Sequence, residues 1–205
     1  MVQLHDGDLP TEVFERFRTE QIVACDTETT GLNWLSDKLA LVQLYSPNVG
    51  THLVRVNHGQ LATQVCQILE MASIRKVFHH APFDLAFMKS AWGVDAENSA
   101  CTKIASKILW RNQNISHSLQ PLLERVLGVH IDKGSVRTSN WAAENLSSGQ
   151  LEYATNDVVY LIPLLLELER ALASMQMLEL FQSCCTFLPT RAKTDQLLLQ
   201  DIFSY

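Results

Sequence analysis

Little in this chain marks a protein of membranes, of oxidising compartments or of long charged polymers. No apolar run in its 205 residues approaches the roughly 18 needed to cross a bilayer, and the residues after Met1 lack a basic-then-apolar leader pattern. A soluble, cytoplasmic protein without a membrane partner is the expectation. The five cysteines are an odd number with no disulfide framework, and the neighbouring Cys184 and Cys185 read as reduced packing residues. No Cys/His spacing suits zinc. Basic charge is scarce: 16 Lys and Arg against 22 Asp and Glu give a net charge of −6. A grip on long nucleic acid draws on a basic track and counterion release, yet the basic residues that group here are only His130, Lys133 and Arg137, then Arg191 and Lys193. That balance favours a short anionic substrate. Repeats, low-complexity tracts and linkers are absent too, and 205 residues at 47% hydrophobic content suit one domain spanning 1–205.

What the chain does have is four acids in three settings that each suit a metal-held carboxylate. Asp26 and Glu28 follow the apolar run Ile22–Cys25 in Asp26-Thr27-Glu28-Thr29-Thr30-Gly31-Leu32. Asp84 lies in His79-His80-Ala81-Pro82-Phe83-Asp84, and Asp157 lies four residues after Tyr153. On a strand, positions i and i+2 share a face, so Asp26 and Glu28 present two carboxylates roughly 7 Å apart at the C-terminal end of theirs. On a helix, i and i+4 are neighbours, so Tyr153 and Asp157 point into one site. Carboxylate oxygens are hard ligands for Mg²⁺ or Mn²⁺. Two such ions can activate a water and stabilise both the attacking and the leaving oxygen at phosphorus, with a tyrosine orienting the water or assisting its deprotonation. Each setting alone is commonplace; the three in this order describe a divalent-metal nuclease. His79 and His80 invite a metal-ligand or general-base role, but histidines near a strand end more often pack or hydrogen-bond.

Patterning places these residues. Ile22–Cys25, Leu39–Tyr45 and Thr51–Val56 read as three strands of an antiparallel meander, and Lys76–His79 as a fourth. Gln60–Met71 has a helical period, and Phe83–Ala91 reads as a helix stopped by Gly93. Further helices are expected over Thr102–Trp110, Ser118–Leu127, Ser147–Thr155 and Asp157–Met175, and Ser147 with Gln150 matches a capping box. Strands first and helices later suit an α/β domain, a mixed sheet flanked by helices, of the RNase H-like kind.

The acids with Tyr153-x-x-x-Asp157 resemble the DEDD exonuclease superfamily in its tyrosine-bearing branch, which includes ribonuclease D, Werner-type exonuclease domains and polymerase proofreading domains. The stretch Asp132–Trp141, with Leu146-Ser147 and Gln150–Ala154, is similar to ribonuclease D and Werner-type domains. Val2–Pro10, Cys101–Lys107 and Phe187–Ala192 through Asp201-Ile202-Phe203 resemble the nano-RNase C group more narrowly, and ribonuclease D usually carries an acid where Cys101 stands. The resemblance implies a 3′→5′ exoribonuclease that cuts short RNAs, dinucleotides above all, to nucleoside 5′-monophosphates. It also implies two Mg²⁺ or Mn²⁺ ions and a ring-like homo-octamer, with the apolar tail, about residues 180–205, as a candidate oligomer contact. Broader action on longer RNA or on DNA is the alternative; a non-catalytic binding module is a weaker one, since nothing in binding alone requires Asp26, Glu28, Asp84, Tyr153 and Asp157 together.

Substrate-contact candidates complete the reading. Leu32 is expected to wedge between the last two bases, as the resemblance implies. Thr27 and His80 adjoin the metal motifs. Lys133, Ser135, Arg137 and Thr138 form a donor-rich loop suited to a terminal 5′-phosphate, with Arg191, from a neighbouring subunit, as a second candidate.

Overall fold

The computed structural model describes residues 2–131, 136, 139–199 and 202. In chain order the elements are β1 (Gln3–Asp6), α1 (Thr11–Phe17), β2 (Ile22–Thr29), β3 (Leu39–Ser46), β4 (Gly50–Arg55), α2 (Thr63–Glu70), β5 (Arg75–Phe78), α3 (Ala81–Trp92), β6 (Ser99–Cys101), α4 (Thr102–Leu109), α5 (Leu119–Leu127), α6 (Ser148–Val159), α7 (Leu161–Ser174), α8 (Leu178–Thr186) and α9 (Leu188–Gln196).

The meander expected from the alternating runs forms the centre of a six-stranded mixed sheet of order β1-β4-β3-β2-β5-β6. β2, β3 and β4 pair antiparallel, while β1 lies parallel on β4, and β5 and β6 continue parallel beyond β2. β1, β6 and α1 are additions to the sequence reading. β1 is a short, largely polar edge strand, and the Asp8 carboxylate just after it accepts from the backbone N–H groups of Gln64 and Val65, supplying α2 with the cap its own sequence lacks. α1 buries Val13, Phe14 and Phe17.

Helices cover both faces. α6 packs across β2, β3 and β4, where Leu41 and Leu53 join Trp141, Tyr153 and Ala154 in one apolar cluster. The larger core holds Val42, Leu44 and Val54 together with residues of α2, α3 and α7. The predicted capping box forms: Gln150 N–H donates to Ser147 Oγ at 3.2 Å and Ser147 N–H to Gln150 Oε1 at 2.9 Å. Gly93 ends α3 in the left-handed region at φ 71°, where a side chain would be strained.

One boundary is corrected. The helix carrying Tyr153 runs on past Thr155 to Val159 and breaks at Tyr160. The cause is Pro163, whose ring would clash with the carbonyl four residues earlier, that of Val159. Tyr153 and Asp157 therefore share one continuous helix. The tail is a second refinement: α9 buries Leu188 and Ala192, whereas Leu197, Leu198, Leu199 and Ile202 are exposed. Phe203 and Tyr205 lie outside the described residues. All five cysteines are free thiols. No helix among the described residues is long and apolar enough to cross a membrane.

Candidate active site

The site forms where β2 outruns its neighbour. Parallel pairing with β5 ends at Ala24 opposite Val77, and the chain then leaves the sheet at Phe78 to start α3. β2 continues through Asp26 and Glu28, paired only with β3 on its other side. The edge left open is taken by Asp84, in the first turn of α3. Its carboxylate accepts the Thr27 hydroxyl at 2.7 Å and the backbone N–H groups of Thr27 and Asp84 itself. From above, α6 lowers Tyr153 and Asp157, one turn apart on its buried face. Ligand oxygens of Asp26, Glu28 and Asp157 then lie within 4.8 Å of one another. These three line a pocket of about 160 Å³ with Asp84, Tyr153, Thr27, His79, His80, Phe83 and Leu119.

So many carboxylates in one place are electrostatically unfavourable by themselves. Asp84 is only 2% exposed, and burial pushes its carboxyl up to about 7; the charge of Asp157 adds to that, while the Thr27 and backbone bonds oppose it. Its Oδ2 has no hydrogen-bond partner among the described residues. Tyr153 is held above its ordinary value by burial first, then by the charges of Asp157, Glu28 and Asp26, and its hydroxyl donates to Asp157. Oxygen-only donors, a buried carboxylate oxygen left open and mutual repulsion among acids are what a hard divalent cation would relieve. The residues present fit such ions.

The two histidines separate. His79 is bonded through both ring nitrogens, Nδ1 with the Thr102 hydroxyl at 2.9 Å and Nε2 with the His117 carbonyl at 3.1 Å, so it braces the pocket wall against α4. His80 lies over Phe83 with near-parallel rings 6.2 Å apart; one side of it remains open to solvent, and partial burial, with Lys103 and Lys107, holds it below the usual histidine value. Neither belongs to the acid cluster.

Beside the acids opens a groove of about 690 Å³ lined by residues 27–32, His80, Phe83, Ser139 and Trp141. Leu32 stands at its rim, 86% exposed. The turn presenting it depends on Gly31, since a Cβ there would lie 2.3 Å from the Asp37 carboxylate, which accepts the backbone N–H of Asn33 at 2.8 Å. Thr27 turns its hydroxyl to Asp84 and also lines the groove. Phe83 and Trp141 are groove residues that sequence reasoning passed over as ligand contacts. Trp141 is buried and packs at 5.7 Å against the Tyr153 ring; its place inside the segment similar to ribonuclease D was the available signal. Lys133, Ser135, Arg137 and Thr138 lie outside the described residues. Arg191 lines a different groove with Pro82, Ile104 and Phe187, and its guanidinium pairs with Asp195 at 2.9 Å.

Comparison with known proteins agrees with this geometry. Ribonuclease D of Haemophilus influenzae is 30% identical over 198 residues, covering 96% of this chain and 48% of the relative. The chain thus spans about half the length of that curated protein. Brucella melitensis NrnC bound to pGG is similar with a TM-score of 0.90 at 37% identity, covering 100% of this chain and 98% of that one. The same protein with bound Mg²⁺ has a TM-score of 0.90 at 35% identity, covering 100% and 99%. The family model described as 3′-5′ exonuclease, whose members depend on divalent metal, matches residues 1–173. This chain belongs to that 3′-5′ exonuclease family.

Proposed function

We propose that the protein is a 3′→5′ exoribonuclease for RNAs of two to a few nucleotides, dinucleotides above all, and that Asp26, Glu28, Asp84 and Asp157 hold two divalent cations, Mg²⁺ or Mn²⁺. The observation that carries the reading is the meeting of Asp26, Glu28 and Asp157 within 4.8 Å beside the Leu32 groove. A groove of about 690 Å³ is of the size that takes a small ligand, and the net charge of −6 disfavours a long polyanion. Similarity over the full length of a protein solved with pGG supports the same substrate class.

Such cations supply an activated water and charge stabilisation at the attacking and leaving oxygens. The chain's own residues do the rest. Tyr153, whose hydroxyl donates to Asp157, stands beside the acids where it orients the water. Trp141 fixes the tyrosine ring, and Thr27 fixes Asp84. Leu32 and Phe83 offer apolar surfaces to the terminal bases. The water oxygen bonds to phosphorus as the bond to the 3′ oxygen of the preceding ribose breaks; one water proton ends on that oxygen as a 3′ hydroxyl, the other goes to the phosphate or solvent, and a nucleoside 5′-monophosphate leaves. Lys133, Ser135, Arg137 and Thr138 are the proposed contacts of a 5′-phosphate, and exposed Leu197, Leu198, Leu199 and Ile202 support assembly into a homo-oligomer, an octamer by resemblance.

The test is a time course on 5′-labelled RNAs of about two to seven nucleotides, with and without a chelator and a 5′-phosphate. Dinucleotide should be consumed fastest, and only with metal. Accumulation of dinucleotide would sink the short-RNA reading in favour of the broader ribonuclease D type, to which the 30% identity with that protein points.

A further inference from the structure

Gln43 is buried beside the acid cluster, and among the described residues its amide has no hydrogen-bond partner. In the β2–β3 register it is the direct partner of Asp26, and in the β3–β4 register of Leu53. Directly opposed residues of an antiparallel pair project to the same face, with Cβ atoms about 5 Å apart. Gln43 is therefore on the face that carries the acids and that α6 covers. It is 0% exposed, and neither Nε2 nor Oε1 has a hydrogen-bond partner among the described residues. The next pair along sets an aliphatic side chain, Leu41, beside Glu28, so of the two strand acids only Asp26 has an amide for its β3 partner.

Leaving a buried polar group unsatisfied is destabilising, and an apolar side chain of similar volume avoids that cost. An amide enclosed there needs a partner, and none of the described residues supplies one. Ligating carboxylates are themselves hydrogen-bonded by an outer layer that fixes their orientation. An amide suits that role beside Asp26 because it donates without bringing a positive charge to compete with a cation.

We infer that Gln43 is a positioning residue for Asp26: its amide Nε2 donates to the Asp26 carboxylate when the acids hold a divalent cation, and so sets that carboxylate for coordination. The inference rests on the reading of the acid cluster as a cation site.

The test uses the full chain stripped of metal, with Gln43→Leu and, as the closer match in shape, Gln43→Met. Titration calorimetry with Mn²⁺ alone, thermal unfolding without metal, and dinucleotide kinetics are measured for each. Removing an outer-layer partner should weaken Mn²⁺ binding by about 10-fold or more and lower kcat with little change in KM, while the metal-free Tm holds or rises. A merely structural amide predicts the reverse, a lower metal-free Tm with Mn²⁺ affinity unchanged, and that result overturns the inference. Wild type binding Mn²⁺ while both variants bind it equally well also overturns it and leaves the cation reading intact. Wild type failing to bind Mn²⁺ overturns both.

Discussion

Thr27 Oγ1 and Asp84 Oδ1 lie 2.7 Å apart, the hydroxyl donating to the carboxylate across the line where β2 parts from β5. This bond joins two of the three acidic motifs, one on a strand and one on a helix. Thr27→Val keeps the β-branched shape and removes only the donor. A hydrogen bond to a charged group is worth about 1.5–3 kcal/mol, so Mn²⁺ affinity and kcat/KM should each fall by roughly tenfold or more. Thr27→Ser should restore most of both. Equal activity in valine and threonine proteins would show that Asp84 needs no such tether.

Asp84→Asn should move stability and activity in opposite directions. The buried carboxyl is held up to about 7 by burial and by Asp157, so at a pH above that value the metal-free protein carries an unfavourable charge that asparagine removes. Its metal-free Tm at about pH 8 should rise above wild type, while turnover with metal falls by about 100-fold or more, since the charge stabilisation such ions supply is worth several kcal/mol. Unfolding curves with chelator, paired with single-turnover kinetics, check both halves. Near-normal activity would remove Asp84 from the site.

Leu32 contributes almost nothing to the core at 86% exposure, so Leu32→Ala should leave Tm unchanged. If its side chain packs between terminal bases, the loss of an apolar contact of about 1–2 kcal/mol raises KM for dinucleotides by about 5- to 30-fold. Mn²⁺ affinity should not move. A KM equal to wild type disposes of the wedge.

The sequence made the chemistry more legible than the architecture around it. Asp26 and Glu28, two residues apart, share a face by strand geometry alone, and Tyr153 and Asp157 share one by helix geometry, so both pairs are local facts. Ser147 with Gln150, and Gly93, likewise announce helix ends through local hydrogen bonding and backbone freedom. What stayed hidden depends on contacts distant in the chain. β1 and β6 are short strands whose existence is decided by the edges of β4 and β5. The environment of Gln43 follows only from cross-strand register, and that of Trp141 from α6 lying over the sheet. The break at Tyr160 is a different case: Pro163 is a visible signal, because a helix running unbroken into it would set its ring against the Val159 carbonyl.

A last prediction concerns a pair far from the acids in sequence role and opposite to them in pH response. His5 Nε2 and His52 Nδ1 lie 2.9 Å apart with rings stacked at 5.2 Å, joining β1 to β4, and Phe17 meets His52 edge-on. Burial, then the charge His5 would carry and that of Arg16, hold His52 below the ordinary histidine value, against a backbone bond at Val49 that raises it. His5 is lowered by burial as well, with Glu12 and Asp6 opposing. With folded values below the unfolded value of about 6.5, the unfolded chain binds protons first, so stability is complete above that pH and is lost as pH falls through it. Asp84 works the other way: its raised carboxyl makes the metal-free fold gain stability as pH falls through about 7. The wild-type curve therefore mixes two opposite slopes, and the histidine part is isolated by comparison with His52→Gln. Between about pH 7.5 and pH 5.5, metal-free wild type should lose Tm relative to His52→Gln, and Asp84→Asn should lose more than wild type because the compensating carboxyl is gone. Parallel Tm curves for wild type and His52→Gln across that window would show that the His5–His52 contact does not titrate with unfolding.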